Sequence, residues 1–310
     1  MDRIIFGDNQ FFGINHMSEE KAMAQARRFH KNSAIINVID TAYDCGIHAF
    51  TFSTHDRVRD LCDHFRAHPD RYADLRLYPA MPYAQKYAHA VANKGILGAI
   101  KEAVLDHNTT RRAAGMIARG SSVLFTQNAV EIMRLLVDAE MTMFRDLNVR
   151  VIFLQNVVTD LLLGAGWYGM LAAFAEYVEE RYQTRAGFIT LNMPRLVDVL
   201  LDEGIDNPVV CSAINKVGFQ MHPDKSAYEE ALTTKLFTAA AMSILAAGAI
   251  KPTEAIEYVA GFDKIQSIVF GASTRSHIEQ TKQLIESARL APSDESKDRH
   301  RNEKQVEYAS

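Results

Sequence analysis

The chain has 310 residues, 48% hydrophobic and 23% charged, with a formal net charge of −4 and a pI near 6.3. That balance suits one large globular core, and with no basic run in the body of the chain it excludes an electrostatic footprint for nucleic acid or an anionic membrane surface. MDRIIFGDNQ carries no apolar leader and no apolar run reaches the ~20 residues of a membrane span, so the expected location is the cytoplasm and the expected partner a small polar or anionic ligand.

In chain order, Arg3 to Gly7 reads as a first strand ending at Asp8, Asn9 and Gln10, and Ser18, Glu19 and Glu20 open a helix as a cap with acidic first-turn residues should. A helix from Ser33 to Cys45 closes at Gly46 and leads to a second strand, Ala49 to Ser53. That strand ends in Thr54, His55 and Asp56, with Val58 to Phe65 helical behind it. Leu75 to Met81 is a third strand stopped by Pro82, and Val149 to Leu154 a fourth, ending in Gln155 and Asn156. The 83–148 stretch between them is far longer than a βα loop and mostly helical in pattern, so it is expected as an insertion. Within it His107 to Ser122 carries Arg111, Arg112 and Arg119, which suit either a solvated excursion or a clamp on an anion.

The later rhythm is regular. A strand from Gly187 to Leu191 ends at Asn192, and one from Pro208 to Ser212 ends near Asn215 and Lys216. Leu236 to Met242 is assigned as the seventh strand although its alanines favour helix. Ile265 to Phe270 is the eighth, nearly all apolar as a parallel strand buried on both faces should be, and Gly271, Ala272 and Ser273 turn it into a helix capped by Thr274 or Ser276. Residues 289–310 are polar, charged and aperiodic, and are expected as a flexible tail.

Eight βα units within residues 1–288, with no GxGxxG after any strand, predict a single (β/α)8 TIM barrel with a helical insertion between strands 3 and 4. Such barrels place their sites at the carboxyl ends of the strands, where Asp8, Asn9, Thr54, His55, Asp56, Gln155, Asn156, Asn192, Asn215 and Lys216 converge. His55 suits general acid or base work beside Asp56 and Asp8; His16 is a weaker candidate past the first strand, and Lys216 a Schiff-base candidate. Cys45, Cys62 and Cys211 form no CxxC pair and read as buried free thiols, so no disulfide framework and no metal site is expected.

FGDNQFFG with its capped helix, DTAYDCGIHAFTFSTHD and IQSIVFGASTRSHIEQT resemble the first, second and eighth βα units of the aldo-keto reductase superfamily. GFITLNMP, NPVVCSAINKVGFQMHP and AMSILAAGAIKPTEAIEYV resemble a divergent branch of the same kind of barrel. The resemblance implies the TIM barrel, oxidoreductase chemistry on a small polar or sugar-like substrate, and an NADP or NAD cofactor with its phosphate on Gly271, Ala272, Ser273 and Thr274 beside Arg275. It also exposes a departure. The family's catalytic Asp, Tyr, Lys and His fall on Thr51, on Asp56 or His55, on Met81 or Pro82, and on Asn156, so the tetrad is not matched. Tyr83 and Lys86 lie just beyond strand three as possible substitutes. The family's later cofactor-binding Arg, Glu and Asn fall on His277, Gln280 and Thr281, which leaves NADPH selectivity unencoded. Two further readings stay open, a non-redox isomerase, lyase or epimerase using His55, Asp56 and Asp8 on a phosphorylated or sugar-like substrate, and a barrel that binds ligand without catalysis.

Overall fold

A computed structural model of the chain describes residues 1–13, 19–83 and 129–288. Eight parallel strands close into a barrel in sequence order: β1 (Ile4–Phe6), β2 (Ala49–Ser53), β3 (Arg76–Met81), β4 (Val151–Leu154), β5 (Arg185–Thr190), β6 (Val209–Ala213), β7 (Thr238–Met242) and β8 (Ile265–Phe270). β8 returns to β1 through Ile4↔Ile268, Ile5↔Val269 and Phe6↔Phe270. Over the described residues the helices, numbered in order, are α1 (Glu19–Arg28), α2 (Asn32–Asp44), α3 (Asp56–Ala67), α4 (Ala129–Met141), α5 (Asn156–Ala165), α6 (Tyr168–Tyr182), α7 (Met193–Asp202), α8 (Lys225–Thr234), α9 (Pro252–Ala260) and α10 (Arg275–Ser287). None is long and apolar enough to cross a membrane.

Strand alternation sorts the core into two layers. Phe6, Phe50, Phe52, Leu77, Ile152, Phe188, Ile268 and Phe270 face outward and pack beneath the helices. Ile5, Ala49, Tyr78, Ala80, Val151, Phe153, Val209, Cys211 and Ala240 fill the barrel itself. The strands therefore read as near-continuous apolar runs, which is what burial on both faces demands. The seventh strand is a strand despite its alanines because Ala239, Ala240 and Ala241 are wholly buried between β6 and β8, and tertiary pairing overrides a propensity of a few tenths of a kcal/mol per residue.

β3 carries a proline in its middle, unusual for a strand with neighbours on both sides. Pro79 keeps its pairing with Phe52 on β2, while toward β4 the ladder is interrupted: an isolated Leu77↔Val149 bridge precedes Ala80↔Phe153, and the register slips by one residue across Pro79. The missing N–H thus falls where no ladder bond is made.

The two ends of the barrel differ. At the amino end Asp2 is a plug: its carboxylate accepts from the Tyr78 hydroxyl and from Arg76 Nε (2.7 Å), and its carbonyl accepts from Ser267 Oγ (2.6 Å). At the carboxyl end the interior side chains Ile189, Met242 and Val269 are only partly buried, so the barrel opens there.

Of the stretch expected as an insertion, α4 and the turn after it are described, and residues 84–128 lie outside the described residues, together with Lys86, Arg111, Arg112 and Arg119; so do His16 and the 289–310 tail. α4 is tied to α6 by Asp138, whose Oδ1 accepts from the hydroxyls of Tyr177 (2.5 Å) and Tyr182 (2.7 Å). Removing one of these donors through Tyr182→Phe should cost about 1 kcal/mol, read as a lower urea midpoint at unchanged slope. An unchanged midpoint would mean that the Tyr182 bond adds nothing to the anchoring that Tyr177 and packing already give α4.

Candidate active site at the barrel mouth

The site is built from β1 and β2 upward. After β1 the chain passes Gly7, and Asp8 turns its carboxylate toward β2, where Oδ2 accepts from Ser53 N–H at 2.7 Å. Asp8 is 6% exposed, and burial pushes its pKa up to about 6, against the lowering effect of the bonds from Ser53. A carboxyl that exchanges its proton near neutrality is what general acid–base work needs. Asp8 precedes a short 3-10 turn, Asn9–Phe11, in which Asn9 is exposed while Gln10 is buried and donates from Nε2 to Gly7 O at 2.8 Å.

β2 ends in Thr54, His55 and Asp56. His55 is the N-cap of α3, its Nδ1 accepting from Arg57 N–H at 3.2 Å, so the neutral ring carries its proton on Nε2. The imidazole is stacked on Phe12 (centroids 4.7 Å apart, planes 19°) and lies 5.5 Å from the Tyr83 ring. Tyr83 follows β3, and its phenol is raised above the ordinary value by burial and then by the negative fields of Asp8 and Asp56. Asp8, His55, Asp56 and Tyr83 therefore share one corner of the mouth. Thr54 is wholly buried beside them, with no hydrogen-bond partner for Oγ1.

The remaining sequence candidates divide. Asn156 opens α5 and Asn192 precedes α7 at the ends of β4 and β5. Asn215 is wholly buried, but its amide is consumed by its own loop: Nδ2 donates to Phe219 O and Oδ1 accepts from Phe219 N, both at 2.8 Å. It holds the β6 loop rather than offering itself to a ligand. Lys216 points away into a half-exposed ion pair with Glu254 at 2.7 Å, which removes the desolvation a Schiff-base lysine needs. Cys62 and Cys211 are buried thiols with pKa values pushed up to about 12, whereas Cys45, expected buried, is partly exposed beside Glu279. Among the described residues no group of three or more His, Cys, Asp or Glu side chains could hold a metal ion.

The turn after β8 leads into the N-terminus of α10. α10 is 13 residues long, and Thr274 Oγ1 occupies only the His277 N–H of its first turn. At Gly271 a Cβ would sit 2.1 Å from Gln10 Oε1, so a side chain there would displace the Gln10 amide. The charge expected from Arg275 is not delivered: its guanidinium is held by Glu279 at 3.1 Å and lies 3.7 Å from Asp44, both carboxylates on the outer surface. Arg28, at the end of α1, stands in that place and donates to Ser273 O at 2.7 Å. Gln10 and Arg28 were not singled out by sequence. Gln10 had a signal, the unbroken polar run Asp8, Asn9 and Gln10, but Arg28 reaches the turn from a helix distant in sequence.

No protein-family model matches the sequence, and no curated protein matches it. Solved structures are similar in fold. A candidate aldo-keto reductase from Pseudomonas aeruginosa superposes with a TM-score of 0.54 at 12% identity, over 93% of this chain and 90% of that one. A candidate 2,5-diketo-D-gluconic acid reductase B superposes with a TM-score of 0.52 at 10% identity, over 94% and 84%. The chain thus has the eight-stranded barrel fold seen in aldo-keto reductases; at such identity the likeness speaks for the fold alone.

Proposed function

We propose that the chain is an aldo-keto-reductase-like oxidoreductase acting on a small polar, sugar-like compound, with Asp8 as the group that moves the proton. The observation that carries this reading is Asp8 itself, a buried carboxyl at the mouth with a pKa near 6. His55 and Tyr83 supply hydrogen-bonding groups beside it, and Phe12 adds an apolar wall on which the nonpolar face of a sugar can lie.

The positions that the family resemblance assigns to the tetrad do other work. Thr51 Oγ1 donates to Tyr78 O at 2.7 Å, and Met81 is wholly buried in the outer core layer. Tyr83 is no replacement for a lysine-assisted tyrosine, because burial and then the neighbouring carboxylates Asp8 and Asp56 make the phenol a weaker acid. The residues at the turn after β8 fit a cofactor phosphate, with Gly271 to Thr274 and Arg28 as its holders. A nicotinamide bound there would supply hydride transfer, while Asp8 handles the proton at the substrate oxygen.

One observation favours a second reading. With Arg275 turned outward, Asp8 and His55 are equally suited to proton abstraction in an isomerase or epimerase that needs no hydride donor. Fluorescence titration with NADPH and NADH separates the two. Saturable binding of either is expected, together with slow turnover of simple aldehydes. If neither nucleotide binds, the oxidoreductase reading falls and the proton-transfer reading stands; brisk reduction of a simple aldehyde that survives Asp8→Asn would show that a donor other than Asp8 is at work.

A further inference from the structure

β1 is short, and the site uses the backbone groups that its shortness leaves over. β1 meets β2 at a single rung, Phe6↔Phe50, and at Gly7 the chain turns to β8, its N–H donating to Phe270 O at 2.8 Å. β2 runs on to Ser53 and keeps β3 beside it to the end, through Ser53↔Ala80. The next residue, Thr54, donates its N–H to Ala80 O on β3 at 3.2 Å, whereas both backbone groups of Ser53 serve the mouth corner. The Ser53 N–H donates to Asp8 Oδ2 at 2.7 Å, and the Ser53 carbonyl accepts from His55 N–H at 2.6 Å. The Ser53 hydroxyl is a further donor to the Asp8 carboxylate. That carboxylate therefore stands where the next rung of β1 would be, a side chain in place of a backbone acceptor. An ionised acceptor holds an N–H about twice as strongly as a neutral one, so this rung tightens and slackens with the proton on Asp8. The titratable groups that share the corner, among the described residues, are His55 and Asp56 at the start of α3 and Tyr83 after β3.

We infer that Ser53 is a positioning residue that holds Asp8 and His55 as one unit. Its N–H and hydroxyl grip the carboxylate of the first and its carbonyl the N–H of the second, so the proton on Asp8 sets how firmly the entry to α3, with the His55 ring on it, is held. The inference rests on Asp8 being the group that moves the proton in the reading above. It adds the means by which the proton state of one group sets the placement of the other: the rung is tight while Asp8 is ionised and slack while it holds a proton.

The test follows backbone amides by NMR in the isotope-labelled full chain as pH is raised through the range in which Asp8 exchanges its proton. The Ser53 amide proton should move downfield as Asp8 ionises, with a midpoint of about 6, and the His55 amide should step at the same midpoint. Thr54 is the internal control: it lies between them in sequence, but its N–H is bonded to β3, so it should stay nearly still. The field of the new charge alone would move all three alike. Both steps should vanish in Asp8→Asn. Ser53→Ala removes the hydroxyl donor and should raise the common midpoint, by up to about one unit for a bond to a charged group, whereas Ser53→Thr should keep the wild-type value. If Ser53→Ala does not fold, Ser53→Cys, whose thiol is a weak donor, carries the same test. A Thr54 step as large as its neighbours', a His55 amide that stays still while Ser53 moves, or an unmoved midpoint without the hydroxyl overturns the assignment. None of these readouts requires turnover. Linked steps with no inflection of kcat/KM at the shared midpoint would uphold Ser53 in its role and overturn Asp8 as the group that moves the proton.

Discussion

Asp8→Asn should make the protein more stable at pH 7 while reducing turnover by about 100- to 10,000-fold, the usual range for loss of a positioned acid or base. The stability gain follows from the direction of the pKa displacement, from 3.8 to about 6, caused by burial. Well below pH 3.8 the carboxyl is protonated in folded and unfolded chains alike and contributes no difference. Between there and about 6 the unfolded chain releases its proton while the folded chain retains it, so stability falls as pH rises through that window. Above it the folded protein bears the full penalty, about 3 kcal/mol. Asparagine has the same shape, can still accept from Ser53 N–H, and carries no charge to desolvate. With a weaker bond from Ser53 set against the gain, a net stabilisation of about 1–2 kcal/mol is expected, or roughly 2–4 °C per kcal/mol in melting temperature for a chain of this size. A variant that is less stable at pH 7 and still turns over would show that Asp8 is a structural acceptor and that the proton is moved elsewhere.

The same pKa fixes the sign of the pH dependence. If Asp8 donates a proton in carbonyl reduction, kcat/KM should fall as pH rises through about 6; in the oxidative direction it must accept one, and the profile should rise over the same range. His55 cannot be the only source of such a profile if Asp8→Asn flattens it while His55→Gln does not.

The barrel was legible because its signals are periodic. Runs such as Ile268, Val269 and Phe270, buried on both faces, carry their fold in composition, and β8, α10 and the turn between them lie where the pattern puts them. Strand ends were less legible: β4 begins at Val151 rather than Val149, and β5 ends at Thr190 rather than Leu191, because the last rungs depend on neighbours that no single segment specifies. The site was half legible. Asp8, His55 and Asp56 lie at adjacent strand ends, since strand order alone places β1 beside β2. Lys216, Asn215 and Arg275 are diverted by Glu254, Phe219 and Glu279, partners whose rotamers and helix faces decide the matter.

Gly187→Val tests the floor on which this mouth rests. Gly187 sits in β5 at the register of Phe153 on β4 and Val209 on β6, and it faces the barrel interior. A Cβ placed there would lie 2.5 Å from Phe153 Cε1 and 2.8 Å from Val151 Cγ1, closer than carbon atoms tolerate. Neither neighbour can step aside cheaply, since Phe153 is 3% exposed and Val151 2%, both inside a closed ring of strands. The absent side chain of Gly187 is thus the space that the Phe153 ring occupies. Alanine should cost about 1–3 kcal/mol by overpacking, and valine, with two further methyl groups, at least the upper end of that range. Because Tyr78 and the Asp2 plug close the amino end of the barrel while Ile189 is only partly buried, the Phe153 ring is expected to shift toward the carboxyl end. Gly187→Val should therefore lower the melting temperature and, in the fraction that remains folded, weaken ligand binding at the mouth. Pairing it with Phe153→Leu, which removes ring volume, should restore much of both. A Gly187→Val protein with wild-type melting and binding would show that β5 can move outward from β4, and that the barrel is less tightly filled beneath its site than the close contact at Phe153 requires.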